Sequence, residues 1–531
     1  MGLDLRDDQG GRLFSLFAAN VISMYIEDTR LQDDPEVLMA GSIIIIGAGM
    51  GGLAAGIYGR MNGFDTKIFE MNSVPGGQCC SWKRGGFTFD GCIHHLFGCA
   101  PGSRIYDLWR ELGAMPRDMV KTAECTSVLS PDGRLFRDYY DLEKLESHLK
   151  ELAPGDASAI ESYIRGCRAF VGNDFLGDMM LGTPAARYKA LVGMAVRLRW
   201  MMPSMEQFGR RFKDPFLKRA FPLLIYSAPA VPLFIHLVRH GYGVDGVLQW
   251  PVGGALRFAL SVEQRYKALG GEIAYDSRVE KILVENGRAV GVRLADGSEH
   301  RADVVISDAD GRKTIMEMLE GRFVDDKVRK ACGEPPDATA WSVHVFLGVK
   351  RDLSAEPSAL IMLLDEPVEI AGHSCDSLEM QIYGFDKTMA PEGKGVIKAE
   401  LFSDYSRWKR LAGDRAGYEA EKARAADRTI DVLERRFPGL RSQVETIDVP
   451  TQLTWERYMG GTRGFANMPT KKASIWSGLR GAGGDMTLPG LDRFYFVGVW
   501  ASMAGSLFGN ALSGRLAVQA LCNRLRMPFK A

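Results

Sequence analysis

The run Ile43-Ile44-Ile45-Ile46-Gly47-Ala48-Gly49-Met50-Gly51-Gly52, with Glu70 closing the next strand, constrains this chain more than any other stretch. Four consecutive β-branched residues read as a strand buried on both faces, as in a parallel sheet. The strand runs into G-x-G-x-x-G, and a helical pattern follows through Leu53, Ala54, Ala55, Ile57 and Tyr58. A second strand, Thr66-Lys67-Ile68-Phe69, delivers Glu70. This is the βαβ dinucleotide fingerprint in its full context. Gly47 permits the tight turn, Gly49 lets backbone approach a diphosphate, and Gly52 lets helix and strand pack closely. Met50 opens the helix, whose free N–H groups and dipole favour an anion. The Glu70 carboxylate is suited to ribose hydroxyls and disfavours a 2′-phosphate.

The chain has 531 residues, enough for two or more domains. Lysine plus arginine equals aspartate plus glutamate at 66 each, which gives no electrostatic case for nucleic acid. Nine cysteines without zinc-like spacing point to reduced thiols, no metal and a cytoplasmic location. No stretch reads as a transmembrane helix. The nearest, Phe221 to Val238, is broken by Pro222, Pro229 and Pro232. Residues 1–39 form an N-terminal extension with an apolar stretch from Leu13 to Ile26. An added helix, a membrane-surface anchor and a misassigned start at Met39 are its three readings.

Further nucleotide-domain character appears in two later places. Pro251-Val252-Gly253-Gly254 opens a helical pattern ended by Gly270-Gly271, and a β-meander from Ser277 leads into the buried strand ending at Ser307. Near the C-terminus, Arg493 to Val497 reads as a strand, with Gly498 and the helix Ala511 to Arg524 after it. The expected cofactor domain is therefore discontinuous, over residues 40–110, 245–312 and 488–531. Between these lie 111–244, read as helical and rich in Met, Phe and Trp, and 313–487, read as strands with a helix from Gly417 to Phe437. These two inserts are read as a substrate domain.

Four blocks in this order resemble the superfamily of phytoene desaturases, carotenoid isomerases and retinol saturases, from residue 40 onward. They are the glycine motif with Glu70; Pro75-Gly76-Gly77 with Gly86-Phe87-Thr88-Phe89-Asp90; Pro251-x-Gly253-Gly254 with Ser307-Asp308-Ala309-Asp310; and Phe496-Val497-Gly498 through Gly514. The resemblance implies an α/β fold, a Rossmann-like FAD-binding domain interleaved with an α+β substrate domain, as in flavin amine oxidases. It implies non-covalent FAD, with Gly76 and Gly77 beside the diphosphate and Val279 at the adenine. Gly498, Gly505 and Leu507 would lie along the ribityl chain and the ring. Gln78 stands where many relatives carry arginine, and Val499 where many carry aspartate.

The stretch Phe89-Asp90-Gly91-Cys92-Ile93-His94-His95 is similar to the retinol-saturase branch, which implies redox chemistry on a carbon–carbon bond. His94 and His95 are candidate proton-transfer groups because imidazole titrates near neutrality. In an extended segment adjacent side chains point to opposite faces, so one of the two is expected to reach the substrate. Tyr458 lies in a block resembling the family's segment near the flavin. There is no second complete dinucleotide motif, so the electron partner is read as a quinone, oxygen or a diffusible reductant. The leading function is desaturation or saturation of a hydrophobic, isoprenoid-like molecule. A redox-neutral double-bond isomerase and a non-catalytic flavoprotein or lipid scaffold are the alternatives. The apolar inserts predict a hydrophobic tunnel, and residues 185–202 carry the cation-flanked apolar pattern of a membrane-surface helix.

Overall fold

The computed structural model describes residues 41–115, 118–225, 227–333, 338–464, 486–501 and 506–531. The isoleucine strand Ser42–Ile46 sits at the centre of a five-stranded sheet. It pairs in parallel with Asp65–Phe69 on one side and Val304–Ser307 on the other. Glu272–Ala274 and Phe494–Phe496 complete the sheet, both in parallel. Short strands drawn from nearly 450 residues of sequence thus share one sheet. The helix Met50–Met61 packs against the long C-terminal helix Leu507–Arg524. Their backbones meet at Gly514, where an added Cβ would lie 2.4 Å from the Gly51 carbonyl oxygen.

The meander forms as a three-stranded antiparallel sheet of Val279–Glu285, Arg288–Leu294 and Glu299–Arg301. Asn286 and Gly287 both adopt positive φ at its first turn, as a two-residue hairpin requires.

A seven-stranded sheet forms the second layer. Its order is Val444–Asp448, Ala338–Val349, Gly395–Asp404, His373–Ile382, Ala359–Ile370, Glu124–Leu129 and Leu135–Tyr139. The last two strands correct the reading of 111–244 as wholly helical. Leu135-Phe136-Arg137-Asp138-Tyr139 alternates in burial with period two, and Glu124–Leu129 gains a parallel partner in Ala359–Ile370. Beyond Tyr139 the insert is helical. Its proline-broken run 221–238 is packed core: Phe221, Leu224, Leu233, Phe234 and Leu237 join Phe208, Phe212 and Phe216 in one cluster. No helix among the described residues is long and apolar enough to cross a membrane.

The hairpin Ser81–Arg84 with Phe87–Asp90 links the two layers. Phe87 is fully buried, and a Cβ on Gly348 of the second sheet would come within 2.5 Å of its ring. The two layers therefore touch at a glycine, and this contact fixes the hairpin that carries Asp90 toward the two histidines.

Candidate cofactor groove and active-site cavity

The glycine loop leaves the C-terminal end of the isoleucine strand. Gly47 has φ +96°, and its N–H donates to the Phe69 carbonyl at 2.8 Å. A Cβ on Gly52 would lie 2.1 Å from the Gly47 carbonyl oxygen. One on Gly51 would lie 2.5 Å from the Gly498 nitrogen. The Gly76 N–H donates to the Ala48 carbonyl at 2.8 Å, and Gly77 stacks directly on Gly49. Gly76 and Gly77 both need the left-handed region, at φ +108° and +55°. Gly47, Gly49, Gly51, Gly52, Gly76, Gly77 and Gly498 thus converge on one backbone-lined seat. Backbone lining at a helix N-terminus is what a phosphate requires.

A groove with about 1300 Å³ of empty space runs from this seat past Glu70, Val279 and Tyr458. Glu70 is buried at its edge. Its carboxylate accepts from the Ala48 N–H at 2.7 Å and from the Asn72 N–H at 2.8 Å. Burial raises its pKa, against those bonds. Val279 is buried and opens the meander, paired with Leu294. Met50 is buried as the first helical residue. Gln78 is half-buried, and its carbonyl accepts from the Cys80 N–H. The Gly498 N–H donates to Ser513 Oγ at 2.8 Å, which ties the C-terminal segment to its helix. Leu507 begins that helix, capped by Ser506. Gly505 lies outside the described residues. Tyr458 is 53% exposed at the groove's rim and stands apart from the histidine pair.

His94 and His95 sit in a second cavity, with about 620 Å³ of empty space. Both histidines line it, which corrects the expectation that one of them points away. The chain bends at His94 instead of running extended, and Asp90 makes that bend. The Asp90 Oδ1 accepts from the Cys92 and Ile93 N–H groups at 3.0 Å each. Its Oδ2 accepts from the Ala255 N–H at 2.5 Å, at the start of the helix Gly254–Ala268. Asp90 is fully buried, and burial pushes its carboxyl up to about 6 against these three bonds. It positions the histidine loop through these backbone bonds.

His94 Nε2 meets Glu400 Oε1 at 3.1 Å, and Lys398 Nζ meets the same oxygen at 2.8 Å. Burial opposes the Glu400 charge, but His94 and Lys398 outweigh it and hold the carboxyl well below the usual range. Burial lowers the pKa of His94 despite Glu400. Burial, together with Arg239, lowers His95 further. Burial and the Glu400 charge push Glu379 up to about 7, with Ser227 donating to it at 2.8 Å. Apolar groups such as Leu248, Trp250, Leu360 and Ile361 share the lining with Arg239 and Gln381. The cavity is therefore mixed, where the insert composition led to the expectation of a hydrophobic tunnel. The apolar side chains of 175–240 went into the packing of the insert's own helices.

The sequence reading missed Lys398, Glu400 and Glu379. Lys398 and Glu400 did carry a signal, being two charges spaced by two in the apolar strand Gly395–Asp404. The fold also brings Cys125, Asp138 and His236 within 4.8 Å of one another, a grouping that no sequence spacing showed. There the Tyr163 hydroxyl bridges Asp138 at 2.7 Å and His236 at 2.8 Å, a hydrogen-bonded knot inside the helical insert.

A family model described as an NAD(P)-binding Rossmann-like domain matches residues 45–112. Prolycopene isomerase of Arabidopsis thaliana is 26% identical, over 85% of this chain and 78% of that protein. The neurosporene-forming phytoene desaturase of Rhodobacter capsulatus is 25% identical, over 91% of this chain and 94% of that one. Over most of its length the chain is similar to the phytoene desaturase and carotenoid isomerase superfamily, and these likenesses are those of an oxidoreductase. Among solved structures, an oxidoreductase from Methanosarcina mazei superposes with a TM-score of 0.58 at 20% identity, covering 90% of this chain and all of that one. Cyclohexylamine oxidase from Brevibacterium oxydans does so with 0.54 at 15% identity, over 92% and 100%. These two likenesses show a shared fold. The match to a Rossmann-like domain points to a dinucleotide or flavin cofactor.

Asp90→Ala would strip the acceptor from three backbone N–H groups at once. Each buried unsatisfied donor costs about 1–3 kcal/mol. The expected result is a lowered Tm, with amide exchange speeding up around Cys92–His95 more than in the sheet core. A variant as stable as the wild type would show that the loop holds without this carboxylate.

Proposed function

We propose that the chain is an FAD-dependent oxidoreductase that moves a hydride between flavin N5 and a carbon–carbon bond of a hydrophobic, isoprenoid-type molecule. One observation carries the reading: the glycine seat and the histidine cavity are built from a single hairpin unit, with Gly76 and Gly77 before it and His94 after it. In this reading 40–110, 245–312 and 488–531 hold the cofactor, and 111–244 with 313–487 enclose the substrate. The residues proposed to hold FAD are Gly47, Gly49, Met50, Gly52, Glu70, Gly76, Gly77, Gln78, Val279, Gly498, Gly505 and Leu507, with no covalent link. Bound FAD supplies a two-electron acceptor or donor. His94 is the proposed proton-transfer group. Burial lowers its pKa, and Glu400 fixes the orientation through Nε2. His95 lines the same cavity as the second candidate, and Tyr458 is proposed to flank the cofactor at the groove's rim. The electrons pass to or from a quinone, oxygen or a diffusible reductant.

A redox-neutral isomerase is the second reading, favoured by the likeness to prolycopene isomerase over most of both chains. Product mass separates the two, since a change of two hydrogens marks redox and no change marks isomerisation. A membrane surface is a further proposed partner. On the helix Pro184–Val196, Tyr188, Val192 and Val196 are spaced by four and exposed, and Leu198 and Met202 extend the patch.

The protein is expected to release all its FAD on denaturation and filtration. Glu70→Ala should weaken FAD binding by about 1–3 kcal/mol, the range for a charged hydrogen bond. Yellow colour retained on the polypeptide, or failure to take up FAD, would count against the cofactor reading.

His94→Ala should keep fold and FAD while losing about 10²- to 10⁴-fold in turnover. Unchanged turnover beside a crippled His95→Ala would move the role to His95. An active double mutant would remove both.

Sedimentation with anionic liposomes is expected for the wild type and not for the Val192→Asp, Val196→Asp double variant. A wild type that stays in the supernatant ends the membrane proposal.

A further inference from the structure

The diphosphate seat already has an anion aimed into it. The Asp308 side chain points from the end of the strand Val304–Ser307 into the glycine loop. Its Oδ2 accepts the Gly52 N–H at 2.8 Å, one of the free donors at the helix N-terminus. A Cβ on Gly49 would lie 2.4 Å from Oδ2, and one on Gly498 would lie 1.9 Å from Oδ1. A Cβ on Gly51 would come within 2.8 Å of the same Oδ1. The glycines that leave room for a phosphate therefore close around this carboxyl.

We propose that Asp308 is a determinant of cofactor affinity, and that the protein takes up the diphosphate of FAD together with one proton, which resides on the Asp308 carboxyl. The inference rests on the reading that the groove holds FAD. A carboxylate and a diphosphate in one desolvated seat repel each other, and protonation turns the carboxylate into a neutral hydrogen-bond donor toward phosphate oxygen. The surroundings favour that proton. Burial pushes the carboxyl up to about 7, the Glu70 charge adds to this, and only the Gly52 N–H opposes it. Other charged groups lining the groove are Asp310, Lys313, Glu317 and Glu320 on the segment that follows Asp308, with Arg278, Glu280, Lys281 and Arg293 on the meander. Lys281 is paired with Glu320 at 2.5 Å, and the Asp310 carboxylate caps its own helix at the Lys313 N–H.

The sign follows from linkage. Below about pH 7 the carboxyl of the free protein is already protonated, and FAD binds without taking up a proton. Above that pH each binding event must draw a proton from solvent, so affinity falls by up to about tenfold per pH unit. The test is titration of the cofactor-depleted full chain with FAD from pH 5.5 to 8.5, for wild type and Asp308→Asn. Calorimetry in buffers of different ionisation enthalpy counts the protons. Glu70 is present in both proteins, so its own linkage cancels in the comparison. The expected result is a wild-type affinity that falls above pH 7 with uptake approaching one proton per FAD at pH 8.5. Asp308→Asn should show a flatter profile and bind FAD at least about tenfold more tightly than wild type at pH 8.5. Should Asp308→Asn fail to fold, Asp308→Ser serves as the second neutral variant in the same comparison. FAD binding that is independent of pH in the wild type, or a pH dependence retained in full by Asp308→Asn, overturns the inference. FAD binding by neither protein at any pH overturns the cofactor reading itself, and this inference with it.

Discussion

The parallel pairing of Ser42–Ile46 between Asp65–Phe69 and Val304–Ser307 is the constraint on which the rest depends. A strand with neighbours on both edges and helices on both faces has one register that buries all four isoleucines. That register sets where the strand ends, and so where the glycine loop begins. It also places Asp308 opposite the loop, because the Asp308 N–H donates to the Ile46 carbonyl at 2.8 Å. The seat, its helix N-terminus and the carboxyl facing it are consequences of one ladder of hydrogen bonds.

From that seat, position is passed outward by close contacts at glycines and by buried carboxylates. The C-terminal helix is held against the first helix at Gly514, and the hairpin touches the seven-stranded sheet at Gly348. Asp90 converts this rigidity into the bend that turns His94 and His95 toward one cavity. Burying a carboxylate is costly unless its lone pairs are met, and here three backbone N–H groups meet them. The same economy governs Glu400. Its charge is tolerated in the interior because Lys398 and His94 share one of its oxygens. The His94 imidazole is thereby fixed at a cavity wall.

The second layer gives the cavity its mixed character. The strand Gly395–Asp404 brings Glu400 and Lys398 behind His94, and neighbouring strands bring Glu379, Leu360, Ile361 and Met380 to the cavity wall. The helices between Leu142 and Val244 contribute mainly packed core, with Arg239 as their charged entry into the cavity. Such a wall suits a molecule that presents an apolar body to one side and a reacting centre to the histidines. That division of labour is compatible with either direction of flavin chemistry and with isomerisation.

Local chemistry that repeats along the chain was legible from the sequence by itself. The β-branched run, the spacing of Gly47, Gly49 and Gly52, the acid at Glu70, the Asn286-Gly287 turn and the apolar helix faces each encode structure within a few residues, where sterics and burial period act directly. Those signals determined the α/β class, the superfamily resemblance and the place of the glycine loop. Other features were decided only by the tertiary structure. The hairpin of Glu124–Leu129 and Leu135–Tyr139 joined the second sheet through parallel pairing with the distant strand Ala359–Ile370. Asp308 entered the seat, Glu400 reached His94 from more than 300 residues away, and both histidines faced one cavity, because chain-distant backbones converged there. A side chain's partners across the fold leave no periodic trace in sequence. Its electrostatic setting is fixed by burial and by neighbours that only the folded chain brings within a few ångströms.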